Sequence, residues 1–512
     1  MTDENSTEPG APRRRRIVMI TENRIDGDSR VQKTAMATAA AGFDVVLVGP
    51  SPDRERHEHD LHGARVILVP QPRGASADFN NRPGRSLRWP LAYASHSHSQ
   101  AKAVRMRSRR ALTLERSTDL RMAQRGGRTP LLLRVEVLAS KVRDKATSRW
   151  HKLRLSELQR ASLHRRDEPS GLDRLRARTL IRLGGRGRWR DLDPTMVDFD
   201  ASLSPVVTEL EPDLVHAHDF RMIGIAVRAA DRRNVSGQSC SVVYDAHEYL
   251  PGVRPRNLSW QLANIRSEAF YIGRADAVVT VSDTLAHMLQ DDHRLPTLPT
   301  VVLNAPSSAD TVHVTVPGGV RAACGLADTT PLLVYIGSPA PQRGLMTVVE
   351  ALPELDGMHA ALVLPPGTPY AVPLVDRARE LGVDDRLHVL PYVPQEEVVS
   401  FIRGADVGVI PLHHDLNHEI SLITKYFDYA HAGLPVVVSD VRTMATTTRE
   451  LGNGEVFTAE DTHGFVVSVQ TVLADPGRYV AAYSPELLEQ WSWEAQERSL
   501  VEVYERVLGA QA

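Results

Sequence analysis

DLNHEISLITKYFDYAHAGLPVVVSD, the stretch from Asp415 to Asp440, decides the fold that we predict for this sequence. The stretch begins as a polar loop, and the apolar spacing from Ser421 onward predicts a helix that ends at Gly433. Pro435 then leads into VVVSD, a β-branched run that is typical of a buried parallel strand. Loop, helix, glycine stop and buried strand in this order indicate one unit of an open parallel α/β sheet.

The same alternation of short apolar strands and helices occurs in two series along the 512 residues. Each series predicts a doubly wound domain, because every strand–helix–strand crossover adds a parallel strand. The strand-like runs of the first series are RIVMI, DVVLVGP, ARVILVP, DLVHAHD, VVYDAHE and DAVVTVS, and those of the second are PLLVYIG, AALVLPPG, RLHVLPYV, DVGVIPL and PVVVSD. We therefore predict a disordered tail over residues 1–15, an N-terminal domain over 16–310, a C-terminal domain over 311–480 and closing helices over 481–512.

Cysteine usage and hydropathy indicate the compartment. The only cysteines, Cys240 and Cys324, are too few and too far apart for a disulfide scaffold and are compatible with a reducing compartment. No apolar run reaches the length of about 18 residues that a transmembrane helix needs. The polar start of the chain lacks the apolar stretch of a signal peptide. These features predict a cytoplasmic protein.

A strongly basic segment interrupts the first series. Residues 101–190 contain 26 Lys and Arg against 8 Asp and Glu, although the whole chain has a net charge of −2. We predict a basic helical insert over about 75–195, in which apolar residues recur at helical spacing. Its apolar stripe consists of Leu131, Val135, Leu138, Val142, Ala146, Trp150 and Leu153.

Three interpretations of this insert stay open. It binds an anionic membrane surface, or it docks a polyanionic polymer or partner protein, or it packs on its own domain with solvated charges. We predict no nucleic-acid partner, because Tyr and Phe are absent from residues 101–190 and only two Trp are available to stack on bases.

The stretch that decides the fold also contains the densest set of candidate site residues. A helix N-terminus presents free backbone N–H groups and the positive end of the helix dipole, which suits a diphosphate. Lys425 adds a positive charge beside those groups. Asp428 lies three residues further on the same helical face, where its carboxylate can accept hydrogen bonds from ribose hydroxyls.

This stretch resembles the donor-binding segment of retaining glycosyltransferase family 4, which implies the GT-B fold of two Rossmann-like domains facing a central cleft. Ile423 and Thr424 stand where the family pattern has Pro–Asn, and Asp428 replaces its ribose-binding Glu. The positions that fit the pattern are Ser421, Leu422, Lys425, Phe427, Tyr429, Ala432, Gly433, Pro435, Val436, Val437, Ser439 and Asp440.

Three further segments are similar to the same family. YIGSPAPQRG resembles the loop whose cations hold the donor diphosphate, with Arg343 at the second cation and Ser338 in place of the first. YDAHE resembles the motif that places a histidine beside the transferred sugar, which nominates His247 and Glu248. DGDSRVQKTA resembles the acceptor-side loop and nominates Asp28, Arg30 and Lys33.

The resemblance implies an enzyme that moves a sugar, with retention, from a UDP- or GDP-sugar to a glycan, lipid-linked or small-molecule acceptor. It implies neither a tightly bound cofactor nor a metal ion. We expect a role in cell-surface polysaccharide or glycolipid synthesis, at the inner face of the plasma membrane if the insert binds lipid. The catalytic residues that it implies are His247, Arg343 and Lys425, and the donor-binding residues are Gly337, Ser338, Arg343, Tyr392, Val393, Ser421, Leu422, Lys425, Asp428 and Glu248.

Two other functions remain alternatives. A non-catalytic scaffold would keep this fold and bind membrane or polyanion through the insert. The departures from the family pattern at Ser338, Ile420 and Asp428 keep this alternative open. A sugar-nucleotide epimerase would need acid and base carboxylates facing the sugar and would turn over without an acceptor.

Overall fold

The computed structural model describes residues 13–53, 55–71, 90–93, 96–125, 131–167, 175, 178–179, 189, 192–193, 195–253, 258–308 and 317–509. The predicted tail therefore lies largely outside the described residues, and so does part of the predicted insert. The described residues divide into two compact units. The larger unit is drawn from residues 1–71, 202–253 and 267–512, and the smaller from 72–201 and 254–266.

The first sheet of the larger unit has eight strands among the described residues, in the order β3-β4-β2-β1-β5-β6-β7-β8. All neighbouring strands are parallel except β3, which pairs antiparallel with β4 at one edge. The strands are β1 Arg16–Ile20, β2 Asp44–Pro50, β3 His57–Leu61, β4 Ala64–Val69, β5 Leu214–His218, β6 Ser241–Ala246, β7 Ala277–Thr280 and β8 Thr300–Val301. Strand order reverses between β1 and β5, and ligands of open parallel sheets bind beyond the carboxyl ends of the strands at such a point.

The second sheet has six parallel strands, in the order β11-β10-β9-β12-β13-β14 among the described residues. They are β9 Leu332–Ile336, β10 His359–Leu364, β11 Leu387–Pro391, β12 Val407–Ile410, β13 Val436–Ser439 and β14 Gly454–Phe457. Here the order reverses between β9 and β12. The two parallel sheets confirm the predicted pair of Rossmann-like domains.

Helices cover both sheets. The helices of the first half of the chain, apart from the two long helices α2 and α3 of the smaller unit, are α1 Ser29–Ala40, α4 Thr195–Glu209, α5 Ile223–Val235, α6 Leu258–Tyr271 and α7 Asp283–His293. Those of the second half are α8 Gly319–Cys324, α9 Leu345–Ala351, α10 Ala371–Glu380, α11 Val398–Ile402, α12 Leu416–Ile420, α13 Thr424–His431, α14 Arg442–Leu451, α15 Thr462–Ala474, α16 Pro476–Val480, α17 Pro485–Gln490 and α18 Trp493–Gly509.

The last helix, α18, returns to the core of the first sheet. Leu500, Val503 and Tyr504 of this helix are buried in one cluster with side chains of β1, β2 and β5. The hydroxyl of Tyr504 lies 2.6 Å from Nδ1 of His216, which is fully buried on β5. The core of the first sheet is therefore completed by α18, the last helix among the described residues.

The smaller unit contains two long helices, α2 His96–Arg125 and α3 Leu131–Asp167, which pack against each other. Leu158 of α3 is buried against Ala92 and Tyr93, and the Tyr93 hydroxyl lies 2.7 Å from Nδ1 of His151. These helices confirm the helical character predicted for the basic insert. No helix within the described part of the chain is both long enough and apolar enough to cross a membrane.

Candidate functional site

A cavity of about 680 Å³ lies in the larger unit, at the carboxyl ends of strands from both sheets. The loops after β1, β6, β9 and β11 contribute to its wall, together with the start of α13. Of the predicted site residues, it is lined by Asp28, Arg30, His247, Gly337, Arg343, Tyr392, Val393, Ser421, Leu422, Lys425 and Asp428. Ser338, Glu248 and Lys33 are not among its lining residues.

The helix that carries Lys425 begins later than the sequence predicted. Residues 416–420 form the short helix α12, because the Asp415 side chain accepts a hydrogen bond from the backbone N–H of Asn417 and starts a separate turn. Ser421 and Ile423 are extended, and α13 starts only at Thr424. Ser421 and Leu422 therefore lie in the loop that enters the helix and not, as predicted, in its first turn.

Lys425 is a buried basic side chain in the wall of this cavity. Its Nζ donates a hydrogen bond of 3.2 Å to the Tyr335 hydroxyl and lies 4.3 Å from the centroid of the same ring. Burial lowers the pKa of Lys425 well below its usual range, and the positive charge of Arg343 lowers it further. A pair of neighbouring cations in a partly desolvated site suits an anion, which would restore the charge on Lys425.

Gly337 makes room for this arrangement. It follows β9 with φ of +133°, a conformation that side chains with a Cβ rarely adopt. A Cβ added there would lie 3.0 Å from Nζ of Lys425. The glycine therefore lets the chain pass directly over the ammonium group.

Tyr335 was not predicted as a site residue, and the structure shows that it positions Lys425. We expect Tyr335→Phe to weaken binding of a nucleoside diphosphate by about tenfold, because the ammonium group loses its hydrogen-bond partner. Calorimetric titration measures the change. Tyr479→Phe is the matched control, since it removes a hydroxyl bonded to Glu455 in the same domain but away from the cavity. Equal affinities for the two variants would contradict the prediction.

Arg343 ends a short 3₁₀ turn, Pro341–Arg343, and Gly344 follows with φ of +70°. A Cβ on Gly344 would lie 1.6 Å from the carbonyl oxygen of Pro411, so the backbone of this turn packs directly on the loop after β12. The glycine thereby fixes where the turn presents Arg343 to the cavity. Sequence alone gave no sign of this contact.

Asp428 and Asn304 provide hydrogen-bonding groups in the wall of the cavity. Asp428 is buried, and its charge raises the pKa of the Tyr392 hydroxyl in addition to the effect of burial. Asn304 donates from Nδ2 to the Thr424 hydroxyl over 3.1 Å, while its buried amide oxygen has no hydrogen-bond partner among the described residues. Asn304 is therefore a candidate acceptor for a ligand hydroxyl, and the sequence analysis did not predict it.

His247 belongs to a buried charge network on the other side of the cavity. Its Nε2 lies 3.2 Å from Oδ2 of Asp245, and Arg30 holds both oxygens of that carboxylate at 2.8 and 2.9 Å. Burial alone would lower the pKa of His247, but the charge of Asp245 outweighs it and raises the pKa to about 9. A protonated imidazole directs Nε2–H at Asp245 and leaves its other ring N–H as a donor to a sugar hydroxyl.

This charge predicts a pH dependence of stability. The pKa of His247 in the folded protein lies above the ordinary histidine value of about 6.5, so its contribution to stability is fully present below about pH 6.5 and is lost as the pH rises through about 9. We expect wild type to exceed His247→Gln in free energy of unfolding by on the order of 2 kcal/mol at pH 6, and by much less at pH 10. Urea unfolding at both pH values measures this, with the exposed His463→Gln as control; a constant difference would contradict it.

The acceptor-side residues have structural partners of their own. Asp28 caps α1 by accepting from the backbone N–H of Val31, and Arg30 also donates to the carbonyl of Val302. Lys33 donates to the carbonyl of Ala305. Of the three predicted residues, Asp28 and Arg30 face the cavity, and Lys33 contacts the segment that leads out of the first sheet.

Ser338 and Glu248 lie beside the cavity. The carbonyl of Ser338 accepts from the Tyr335 hydroxyl over 3.2 Å, so its backbone holds the tyrosine that positions Lys425. Glu248 is largely buried, and this raises the pKa of its carboxyl. Their predicted contacts with the donor remain predictions.

One group of side chains has the spacing of a metal site. Ligand atoms of His216, His218 and Asp245 lie within 4.8 Å of one another, and all three residues are buried. However, Arg30 already occupies both oxygens of Asp245, and His216 Nδ1 lies at hydrogen-bond distance from Tyr504. A divalent ion beside a guanidinium group would be repelled, so this group fits a hydrogen-bonded charge network better than a metal centre.

Comparisons with known proteins agree with this geometry. Residues 330–475 match the family model "Glycosyl transferases group 1" and residues 158–305 match "Glycosyltransferase Family 4". A D-inositol 3-phosphate glycosyltransferase of Thermobispora bispora is 26% identical over 46% of this chain and 56% of its own length. The enzyme of the same name from Geodermatophilus obscurus is 26% identical over 61% of this chain and 71% of its own.

Two solved structures show the fold. Sucrose-phosphate synthase from Thermosynechococcus elongatus superposes with a TM-score of 0.60 at 14% identity, covering 97% of this chain and all of the other. The trehalose-6-phosphate synthase of E. coli, bound with UDP-2-fluoro glucose, gives 0.55 at 10% identity over 95% of this chain and 98% of its own. At these low identities, both superpositions show a shared fold and nothing about substrates.

Proposed function

Because this chain belongs to the group 1, family 4 glycosyltransferases, which are retaining enzymes of the GT-B fold, we propose that its cavity binds a UDP- or GDP-sugar and transfers the sugar to a glycan, lipid-linked or small-molecule acceptor. The observation that carries the proposal is the pair of basic side chains, Lys425 and Arg343, in the wall of one cavity. In this proposal both hold the donor diphosphate as cations once it is bound, and Asp428 binds the ribose.

In this proposal the two cations act mainly on the leaving group. As the glycosidic bond breaks, negative charge grows on the departing phosphate oxygen, and preorganised cations stabilise that charge more in the transition state than in the ground state. The amides at Ser421 and Leu422 face the same diphosphate. Tyr392 and Val393 border the position of the base.

His247 is proposed to hold a hydroxyl of the transferred sugar. Its proton is secured by Asp245, which Arg30 keeps ionised, so the orientation of the imidazole is set before the donor arrives. The family retains anomeric configuration, and we assign no enzymic nucleophile. The acceptor is proposed to enter near Asp28, on the side of the first sheet.

The curated relatives supply a further hint about the acceptor. Their name, D-inositol 3-phosphate glycosyltransferase, contains that of a small phosphorylated polyol. We propose that the acceptor of this chain is rich in hydroxyl groups. We also propose that the transfer takes place on the cytoplasmic side of the membrane, in the synthesis of cell-surface polysaccharide or glycolipid.

Calorimetric binding of UDP, GDP, ADP and dTDP tests the donor site. We expect selective binding of one nucleotide, and Asp428→Ala to weaken it by about tenfold while binding of inorganic pyrophosphate stays unchanged, because only the nucleotide has a ribose. Asp376→Ala, an exposed aspartate on α10, is the matched control. Binding of none of the four nucleotides would overturn the donor proposal, and equal losses for nucleotide and pyrophosphate would overturn the ribose contact.

A further inference from the structure

Helix α3 has two apolar faces, and only one of them packs against other described residues of the smaller unit. Val137, Ser140 and Leu158 are buried on the side that packs against α2 and the segment around Tyr93. At 100° per residue, Leu138 and Val142 point to the opposite side of the helix. An amphipathic helix that packs on one side only needs a single apolar face. The second face therefore indicates a further binding partner outside the smaller unit.

The second face is exposed over most of the helix. Leu138 is 65% exposed and Trp150 is 51% exposed, and other apolar residues of the same stripe are similarly open to solvent. From Leu131 to Leu153 the stripe runs for about 33 Å along the helix axis. Its exposed members are Leu131, Val135, Leu138, Val142, Trp150 and Leu153. We call this set, with its neighbouring cations, the α3 outer face.

Cations accompany the apolar residues along the α3 outer face. Lys141, Lys145, Arg149 and Lys152 are exposed, and each directly precedes a residue of the stripe. Residues 131–160 contain eight Lys and Arg but only three Asp and Glu. An apolar row bordered by exposed cations matches the two layers of an anionic bilayer surface, which are acyl chains and negative headgroups.

We propose that the α3 outer face binds an anionic lipid surface and lies in its headgroup region. A second copy of this chain fits the face less well, because pairing two such faces would bring their lysines and arginines together. The proposal deepens the proposed function, since it rests on a transferase whose acceptor is lipid-linked. It requires no membrane-crossing segment.

Vesicle co-sedimentation of the full chain tests the proposal. We expect binding to equimolar phosphatidylglycerol–phosphatidylcholine vesicles, little binding to pure phosphatidylcholine, and weakening as salt is added. Leu138→Gln/Val142→Gln should reduce partitioning about tenfold, and Lys145→Gln/Arg149→Gln should reduce it about fivefold for each charge. The control is Val235→Gln/Val372→Gln, which changes two exposed valines of the larger unit and should bind like wild type.

Three results would overturn the proposal. They are absence of binding to anionic vesicles, equal binding by the Leu138→Gln/Val142→Gln variant and its control, and sedimentation velocity showing a dimer that this variant alone converts to monomer. Circular dichroism shows whether each variant is folded. Calorimetry with the nucleotide that wild type binds separates the two hypotheses: loss of vesicle binding with nucleotide affinity intact concerns the α3 outer face alone.

Discussion

We expect Lys425→Met to lower kcat/KM for sugar transfer by about a thousandfold and to leave the protein folded. The substitution keeps the length of the side chain and removes its charge from the wall of the cavity. Loss of one preorganised group that stabilises transition-state charge costs about 10²–10³ in rate, and Lys425 also contributes to donor binding. Because burial already opposes the charge of Lys425 in the free protein, the neutral methionine costs little stability. Steady-state kinetics and urea unfolding measure the two effects.

Because the pKa of Lys425 is lowered in the free protein, we expect the protein to take up a proton when it binds nucleotide. In the free protein, burial and Arg343 lower the pKa of Lys425, and a bound diphosphate would raise it again. Affinity should therefore be constant below the pKa of the free protein and fall as the pH rises above it. Calorimetry in two buffers of different ionisation enthalpy detects the proton. The control is Arg379→Met, which changes an exposed side chain of α10 and should bind nucleotide with the same proton uptake as wild type. Wild-type turnover by the Lys425→Met variant would contradict the donor site.

Gly344→Ala should cost at least about 3 kcal/mol of unfolding free energy and abolish nucleotide binding. A methyl group there would lie 1.6 Å from the Pro411 carbonyl oxygen, and a backbone atom cannot rotate away as a side chain can. The φ of +70° adds the usual cost of a left-handed alanine, about 1–2 kcal/mol. Any relaxation moves the turn that presents Arg343, so binding fails even where folding survives.

Gly357→Ala separates these two costs. Gly357 has nearly the same backbone angle, φ of +68°, but nothing lies within 4 Å of the added methyl group. The Gly357→Ala variant should therefore lose only the unfolding free energy that a left-handed alanine costs, about 1–2 kcal/mol, and should retain nucleotide affinity. Urea unfolding and calorimetry on both variants give the comparison. Similar losses for both glycines would show that the contact with Pro411 has no special importance.

Local patterns in the sequence predicted most of the fold and much of the cavity wall. Buried strands such as RIVMI are recognisable because parallel strands are apolar throughout, and Lys425 and Asp428 follow from spacing on one helix. The edge strand HEHDL was missed because its polar residues give no such signal. The predicted start of α13 at Ser421 was wrong, because the Asp415 cap creates the separate short helix α12 before it.

Contacts between distant residues could not be predicted in the same way. Arg30 and Asp245 form a buried ion pair across 215 positions of sequence, and nothing near either residue indicates the other. The hydrogen bond from Lys425 to Tyr335 joins residues 90 positions apart. Such pairs are set by which strands become neighbours in a sheet, and that order is a property of the whole fold.

The return of α18 to the first sheet has a consequence for biosynthesis. Leu500, Val503 and Tyr504 fill the core of a domain whose last strand ends at Val301. On the ribosome that core stays open while roughly 190 further residues are added, which takes about 10–40 s at 5–20 residues per second. During this interval the apolar side chains of β1, β2 and β5 that α18 later covers remain exposed, so we expect the nascent chain to bind chaperones until α18 has been synthesised.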